Sequence, residues 1–588
     1  MSPIVLKARS GRRLTNSSGR YIKATAYWRA RASKTSSCRL DPSPDSRGSA
    51  RETRRYRCLR TISTTLYGCR ICGRKPGVGR LRKPTGLTYI SRGPGPHLQA
   101  FRIPSDSRNF KRHYGSIMAR GKYDVVVLGG GSAGVAAAVK AAQLGGKVAV
   151  VNEGPIGGTC VNVGCVPSKF LIRAAQLKRD AERPYFKGIS AKVEVDLKAL
   201  MAHMREVVDS LRREKYEEVL RYYDVEVVEG RGVLTGPGSV KVGGEVLEGD
   251  KIIVATGARP RLPDIPGLRE AAARGLALTN EEFFKLGDIP SSVAFLGGGA
   301  IAAELSQALA RLGVEVSVIY RSSLLKYEEE LASRFLEGLL ADEGVRLIKA
   351  EASAVELRDG GVEVRHTGGS VRAEVLFVAA GRTPNVEPLG GLLKLGPHGG
   401  VEVNERMETS LPGVYAAGDV TGGLGGVRYL ENAAARQGVV AAVNAMGGDA
   451  KFNPLTVPRV VFTDPAIASV GLREEDMIRN GIGCRCRAAP IEAVAAGWTR
   501  GRTAGFIKIN TYPETWRVSM KRGKIAGALI VAPEAEELIN VFALAIQMGL
   551  AIDDLIEWLP SFPSYGEALR LAALAFYTDP TKLSCCGG

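Results

Sequence analysis

The stretch YDVVVLGGGSAG, residues 123–134, decides the architecture of this 588-residue chain. Its first six residues, apolar apart from Asp124, read as a parallel strand buried on both faces. Gly129 supplies a tight turn, Gly131 lets the backbone approach a pyrophosphate, and Gly134 lets the following helix pack on the strand. Ser132 and Ala133 lie between these glycines, and an alanine-rich helix is expected to about Gly145. Residues 147–152 read as a second strand. It ends at Glu153, 24 residues after Gly129, where an acid takes ribose hydroxyls. Strand, glycine turn, helix and acid together predict a dinucleotide site with its phosphates at a helix N-terminus.

The stretch GGTCVNVGCVPSK, residues 157–169, follows directly. The two thiols, Cys160 and Cys165, are five positions apart. Gly157 and Gly158 bring the backbone close to a ligand, with Thr159 beside them. The Cys160 region is expected to open a helix, whose N-terminus lowers a thiol pKa. Lys169, four residues after Cys165, shares its helical face and favours a thiolate.

A second unit repeats the pattern. Residues 293–296 read as a strand, and GGGAIA follows at 297–302, with Gly297, Gly299 and, in the third place, Ala302. Glu304 is expected to open the helix that follows. The next strand ends at Arg321, 24 residues after Gly297 and so at the offset of Glu153 from Gly129. An arginine there suits a 2′-phosphate, so the first site reads as FAD and the second as NADPH.

The fingerprint and the thiol stretch together resemble the FAD-dependent pyridine nucleotide–disulfide oxidoreductases. The resemblance implies an α/β chain with two Rossmann-like dinucleotide-binding domains and a C-terminal α+β dimerisation domain. The expected organisation is a basic leader at 1–117, FAD-binding parts at 118–262 and 386–450, an NADPH-binding domain at 263–385, and an interface domain at 451–588. Thr256 and Gly257 match the strand that returns to FAD. Gly381 matches the exit from the nicotinamide domain, and Asp419 the acid that holds the ribityl chain. By the same resemblance Cys165 lies nearer the flavin, Cys160 is the exchange thiol, and Lys169 and Glu304 tune the flavin.

Two departures bear on the substrate. Disulfide reductases of this family carry a histidine in a His-Pro-x-x-x-Glu segment, where an imidazole moves a proton to the leaving thiolate. Here the segment is FPSYGE, residues 562–567, and no histidine follows His398. The chain ends LSCCGG, with Cys585 and Cys586 adjacent. Adjacent α-carbons are ~3.8 Å apart, below the ~4.4 Å at which disulfides begin, so the pair suits capture of a soft cation. This tail, VFTDP at 461–465 and APEA at 532–535 resemble the mercuric reductases. That likeness implies Hg(II) as substrate and metal contacts from Cys160, Cys165, Cys585 and Cys586. It also implies a cytoplasmic homodimer whose active site is shared between subunits. Tyr565 is a further catalytic candidate beside the metal. Competing readings are a thiol–disulfide reductase and a metal-sequestering flavoprotein without turnover.

Composition narrows the field. The net charge of +21 suggests nucleic acid, but residues 1–117 hold 27 basic and 4 acidic residues, leaving 54 basic against 56 acidic in the rest. The body is near neutral, so no nucleic-acid partner is expected. The leader, rich in Arg, Ser, Gly and Pro, lacks the apolar surface for a core. Its Cys69 and Cys72 match no metal loop of the family. No run of ~20 apolar residues predicts a membrane span. Cys484 and Cys486 read as incidental.

Overall fold

The structure is a computed structural model that describes residues 122–513 and 523–583. Tyr123–Leu128 lies at the centre of a parallel array in which Val148–Asn152 pairs on one side and Glu245–Val254 on the other. Glu226–Glu229 extends the first side, and Val414–Ala416 runs parallel to Glu245–Val254 on the other. Two antiparallel strands, Gly232–Gly236 and Ser239–Val242, complete the sheet. Strand periodicity divides its apolar residues between two cores. Val125, Val127, Val148, Val150 and Ile253 face one layer, and Val126, Leu128, Ala149, Val151 and Ile252 face the other. Each fully buried valine or isoleucine contributes ~1.5–3 kcal/mol, which is why the run at 125–128 carries no polar alternation. Ser132–Gln143 and Glu431–Ala445 pack together on the first face.

The second dinucleotide unit has the same physics. Ser292–Leu296 pairs in parallel with Glu315–Tyr320 and Val375–Val378, and Arg346–Lys349 and Ala277–Leu278 flank them. A three-stranded antiparallel meander spans residues 352–373. The chain leaves and re-enters the first unit through two crossing strands, Ala258–Pro260 and Arg382–Pro384. Thr256 Oγ1 donates to the Asn385 carbonyl at 2.7 Å, and Asn385 Nδ2 donates back to the Thr256 carbonyl at 2.9 Å. The crossing is thereby fixed beside the first nucleotide site.

The C-terminal unit is a five-stranded antiparallel sheet backed by Ala535–Met548 and Gly566–Leu574. Its segment at 461–465 is held to the second unit by Asp464, which accepts from Arg311 at 2.8 Å and from Arg502 at 2.6 Å. The three layers are those expected of the fold class. Among the described residues no helix is long and apolar enough to cross a membrane.

Candidate active site

Cys160 and Cys165 do not share one helix. Cys160 is the third residue of a short helix, Gly158–Val163, whereas Cys165 begins the 18-residue helix Cys165–Glu182. The expectation that the Cys160 region opens a helix is met by a helix too short to carry a substantial dipole, and the long helix N-terminus belongs to Cys165. Gly164 is the reason for the break: a Cβ there would stand 2.7 Å from the Thr159 carbonyl oxygen.

The two thiols hydrogen-bond to each other, and this divides their acidity. The bond to Cys160 and the nearby Lys169 ammonium hold Cys165 below an ordinary thiol, against the effect of burial. The same bond, burial and the charge at Cys165 push Cys160 far up. The arrangement makes Cys165 the more acidic thiol of the pair.

Lys169 is positioned by groups distant in sequence. Its Nζ donates to Glu304 Oε2 at 2.6 Å and lies 4.4 Å from the centre of the Phe462 ring. Glu304 is 5% exposed, and its other oxygen accepts from the Phe462 backbone N–H at 3.0 Å. Both carboxylate oxygens are therefore paired, as a buried charge requires. Glu304 lies in the second turn of Ala300–Leu312, one turn past the N-terminus.

Replacing Lys169 with methionine removes the cation from Cys165. A thiol with a lowered folded pKa keeps its thiolate down to that pH and loses it as pH falls further. The alkylation-versus-pH curve of Cys165 is expected to move to higher pH in Lys169→Met. An unchanged curve would show that Cys160 alone sets the acidity.

The nucleotide sites fit the groups they are expected to hold. A Cβ on Gly134 would lie 1.8 Å from the Gly129 carbonyl oxygen, so close helix–strand packing demands glycine there. Gly131 differs: the nearest protein atom to a Cβ would be Gly158 Cα at 3.8 Å, and Gly299 has none within 4 Å. Neither is glycine for the sake of the protein's own packing, as expected where a pyrophosphate meets the backbone. Asp419 is pushed up by burial, with Arg382 opposing, and Arg382 Nε lies 3.7 Å away, buried without a hydrogen-bond partner among the described residues. A carboxyl and a guanidinium N–H with unused hydrogen-bonding capacity suit the hydroxyls of a ribityl chain. Ser132 and Ala133 stand in the first helical turn, with Ala133 buried, and Glu153 is exposed just after its strand. Thr159 Oγ1 accepts from Arg382 at 3.2 Å. Gly257 and Gly381 both take left-handed backbone at the crossing strands. Gly297 makes the second turn, and Ala302 is fully buried.

Arg321 follows Glu315–Tyr320 directly and is exposed, 3.7 Å from Glu351. An exposed pair this loose is worth little, so the guanidinium is available to a phosphate. In Arg321→Glu the kcat/KM preference for NADPH over NADH is expected to fall by about 10- to 100-fold, the worth of one or two charge-assisted hydrogen bonds.

One candidate needs correction. Tyr565 is 2% exposed, packed in the C-terminal core, with its hydroxyl donating to the Arg502 carbonyl at 3.2 Å and the Arg500 guanidinium over its ring. Its role is packing, because helix Gly566–Leu574 draws the ring inward. Phe562, three residues earlier, is 58% exposed. Cys585 and Cys586 lie outside the described residues, as do Cys69 and Cys72.

Three residues near the thiols escaped the sequence reading. Glu431 begins Glu431–Ala445, and its charge bears on Cys160, Cys165 and Tyr216. Tyr216 sits on a π-helical turn, Arg213–Glu217, hydrogen-bonds Ser132, and is pushed up to about 12, mainly by burial. Arg382 joins Thr159 and Asp419. None carries a local spacing signal. The available clue was Arg382 inside AGRTPN, next to Gly381.

Two nucleotide folds around a thiol pair define a flavin-dependent disulfide oxidoreductase, and residues 123–447 match the pyridine nucleotide-disulphide oxidoreductase model while residues 457–573 match the family's dimerisation domain. The chain belongs to this family, and its cofactors are FAD and NADPH. Among its relatives are mercuric reductases. That of Shigella flexneri is 37% identical over 484 residues, spanning 80% of this chain and 83% of the relative. That of Staphylococcus aureus is 35% identical over 480 residues, spanning 80% and 85%. The solved structure of LpdA from Mycobacterium tuberculosis aligns with a TM-score of 0.68 at 30% identity, covering 77% of this chain and 99% of that one. The Cu(II) complex of the HOCl-induced flavoprotein disulfide reductase RclA from Escherichia coli aligns with a TM-score of 0.67 at 25% identity and the same coverage.

Proposed function

We propose that this oxidoreductase reduces Hg(II) to Hg(0). The observation that carries the reading is a thiol pair of unequal acidity with phenylalanine in the place of the family's imidazole. Phe562 stands where the family's histidine would be, and the chain has no histidine after His398. The mercuric reductases among its relatives support the same substrate.

Gly129, Gly131, Gly134, Glu153, Arg382 and Asp419 would hold FAD. Gly297, Gly299, Ala302 and Arg321 would hold NADPH. When bound, these groups supply two electrons per turnover. The protein's own part is to hold the metal ion. Cys165 is the more acidic thiol and gives up its proton more readily, and Cys160 releases its own when Hg(II) binds, giving a two-coordinate dithiolate. Lys169 balances the charge of Cys165, and Glu304 keeps Lys169 in place. Two electrons convert the bound ion to Hg(0), which has no affinity for thiolates of the Hg(II) kind and leaves. No proton has to reach a leaving group, so an imidazole is unnecessary.

The vicinal pair Cys585 and Cys586 of a second subunit delivers Hg(II), by this reading. Exposed Leu544, Met548, Leu559 and Phe562 on the C-terminal unit support a homodimer, since large apolar groups of this kind mark an interface. The test is stoichiometry: one Hg(0) volatilised per NADPH oxidised. NADPH oxidation without mercury vapour would point to a thiol–disulfide reductase.

A further inference from the structure

Cys484 and Cys486, expected to be incidental, are joined in a disulfide. The bridge lies where the loop after Glu474–Arg479 enters strand Arg485–Pro490. The two sulfurs and a carboxylate oxygen of Glu474 all lie within 4.8 Å of one another. Cys486 pairs with Asn510 across the ladder, and Ala488 with Lys508, so Cys486, Asn510 and Lys508 share one face of the sheet. Lys508 Nζ bonds both Glu474 and Glu329. Asn510 is 1% exposed. Its Nδ2 donates to Glu329 and to the Leu472 carbonyl, while its Oδ1 is buried with no partner among the described residues. A buried amide oxygen left unpaired opposite a cysteine is a cost that a ligand can remove.

We propose that Cys484, Cys486 and Glu474 form a second metal site, separate from Cys160 and Cys165, for a thiophilic d10 divalent cation of the zinc group. The disulfide is its closed state. Opening takes two molecules of a low-molecular-weight thiol. The first attacks one sulfur, breaking the bridge and forming a mixed disulfide. The second releases the protein thiol, so the small thiol leaves oxidised and two cysteine thiols remain. The cation then displaces two protons and takes two thiolate sulfurs and a Glu474 oxygen, a donor set suited to such ions. Because one residue separates the cysteines, both sulfurs reach one ion without rearranging the sheet. This site does not depend on mercury being the substrate at Cys160 and Cys165.

The test uses the full chain and Cd(II), which NADPH-linked chemistry does not volatilise. The protein is reduced with dithiothreitol, freed of it under argon, and alkylated with or without Cd(II). Peptide mapping follows the segment carrying Cys484 and Cys486. Cd(II) is expected to slow alkylation of both residues about 10-fold or more. After reduction, Cys484→Ser/Cys486→Ser is expected to bind one Cd(II) fewer than the unaltered protein, and without reduction the two are expected to bind equally. Glu474→Gln is expected to weaken binding about 10-fold with the stoichiometry unchanged. Alkylation unaffected by Cd(II) in the unaltered protein would overturn the proposal whatever the variants do. An equal Cd(II) count after reduction would overturn it too.

Discussion

Cys165→Ala is expected to abolish Hg(II)-dependent NADPH oxidation, by about 10³-fold or more in kcat, the scale on which loss of a single essential nucleophile acts. Bound flavin is expected to stay at the unaltered level, because Gly129, Gly134 and Asp419 are untouched. The two single variants differ in a further way. In Cys160→Ala, the thiol that holds Cys165 down by hydrogen bonding is gone, but Lys169 and the helix N-terminus remain. Cys165 is then expected to ionise at a pH between that of the intact pair and that of an ordinary thiol. Its alkylation rate against pH reads this directly. In Cys165→Ala, Cys160 loses the neighbour that pushes it up most, so its thiolate is expected to appear at lower pH than in the pair. Opposite movements of the two curves are the signature of a coupled pair. Curves that do not move would mean that burial alone governs both.

The second large effect is expected at the other end of the chain. In Cys585→Ala/Cys586→Ala, turnover with Hg(II) presented as a thiol complex is expected to fall by about 10²-fold or more, while the rate at which NADPH bleaches the bound flavin stays unchanged. The reason is ligand exchange. Hg(II) in excess thiol is already two-coordinate, and it passes to Cys160 and Cys165 only through attack by another thiolate. A vicinal pair on a glycine-ended tail supplies two such groups at high local concentration. Stopped-flow absorbance separates the two steps. Equal losses in both would remove the delivery role and leave the tail as a structural element.

The parts legible in the sequence are those with local causes. The run Val125 to Leu128 is apolar at every position because both faces of its strand are buried there, and Gly134 is fixed by a 1.8 Å clash that any Cβ would create. The relation of Lys169 to Cys165 followed from one helical turn. Glu304 was found as a residue of the second helix, but its bond to Lys169 spans 135 positions and depends on how two units dock. Glu431 and Tyr216 were missed for the same reason. Tyr565 was a catalytic candidate through its closeness to Phe562 in sequence, whereas the helix beginning at Gly566 draws the ring into a core. The Cys484–Cys486 bridge was passed over because no motif contains it. Its meaning comes from Glu474, Lys508 and Asn510, which one helix and one neighbouring strand bring beside it.

The most direct test of the whole account sets two substrates against each other. NADPH oxidation by the purified protein is followed with Hg(II) in excess thiol and, separately, with a series of small and protein disulfides. Sustained turnover with Hg(II) and little or none with any disulfide is the predicted result, because Phe562 leaves no imidazole for the leaving thiolate. Inhibition by Hg(II) together with rapid turnover of a disulfide would contradict it.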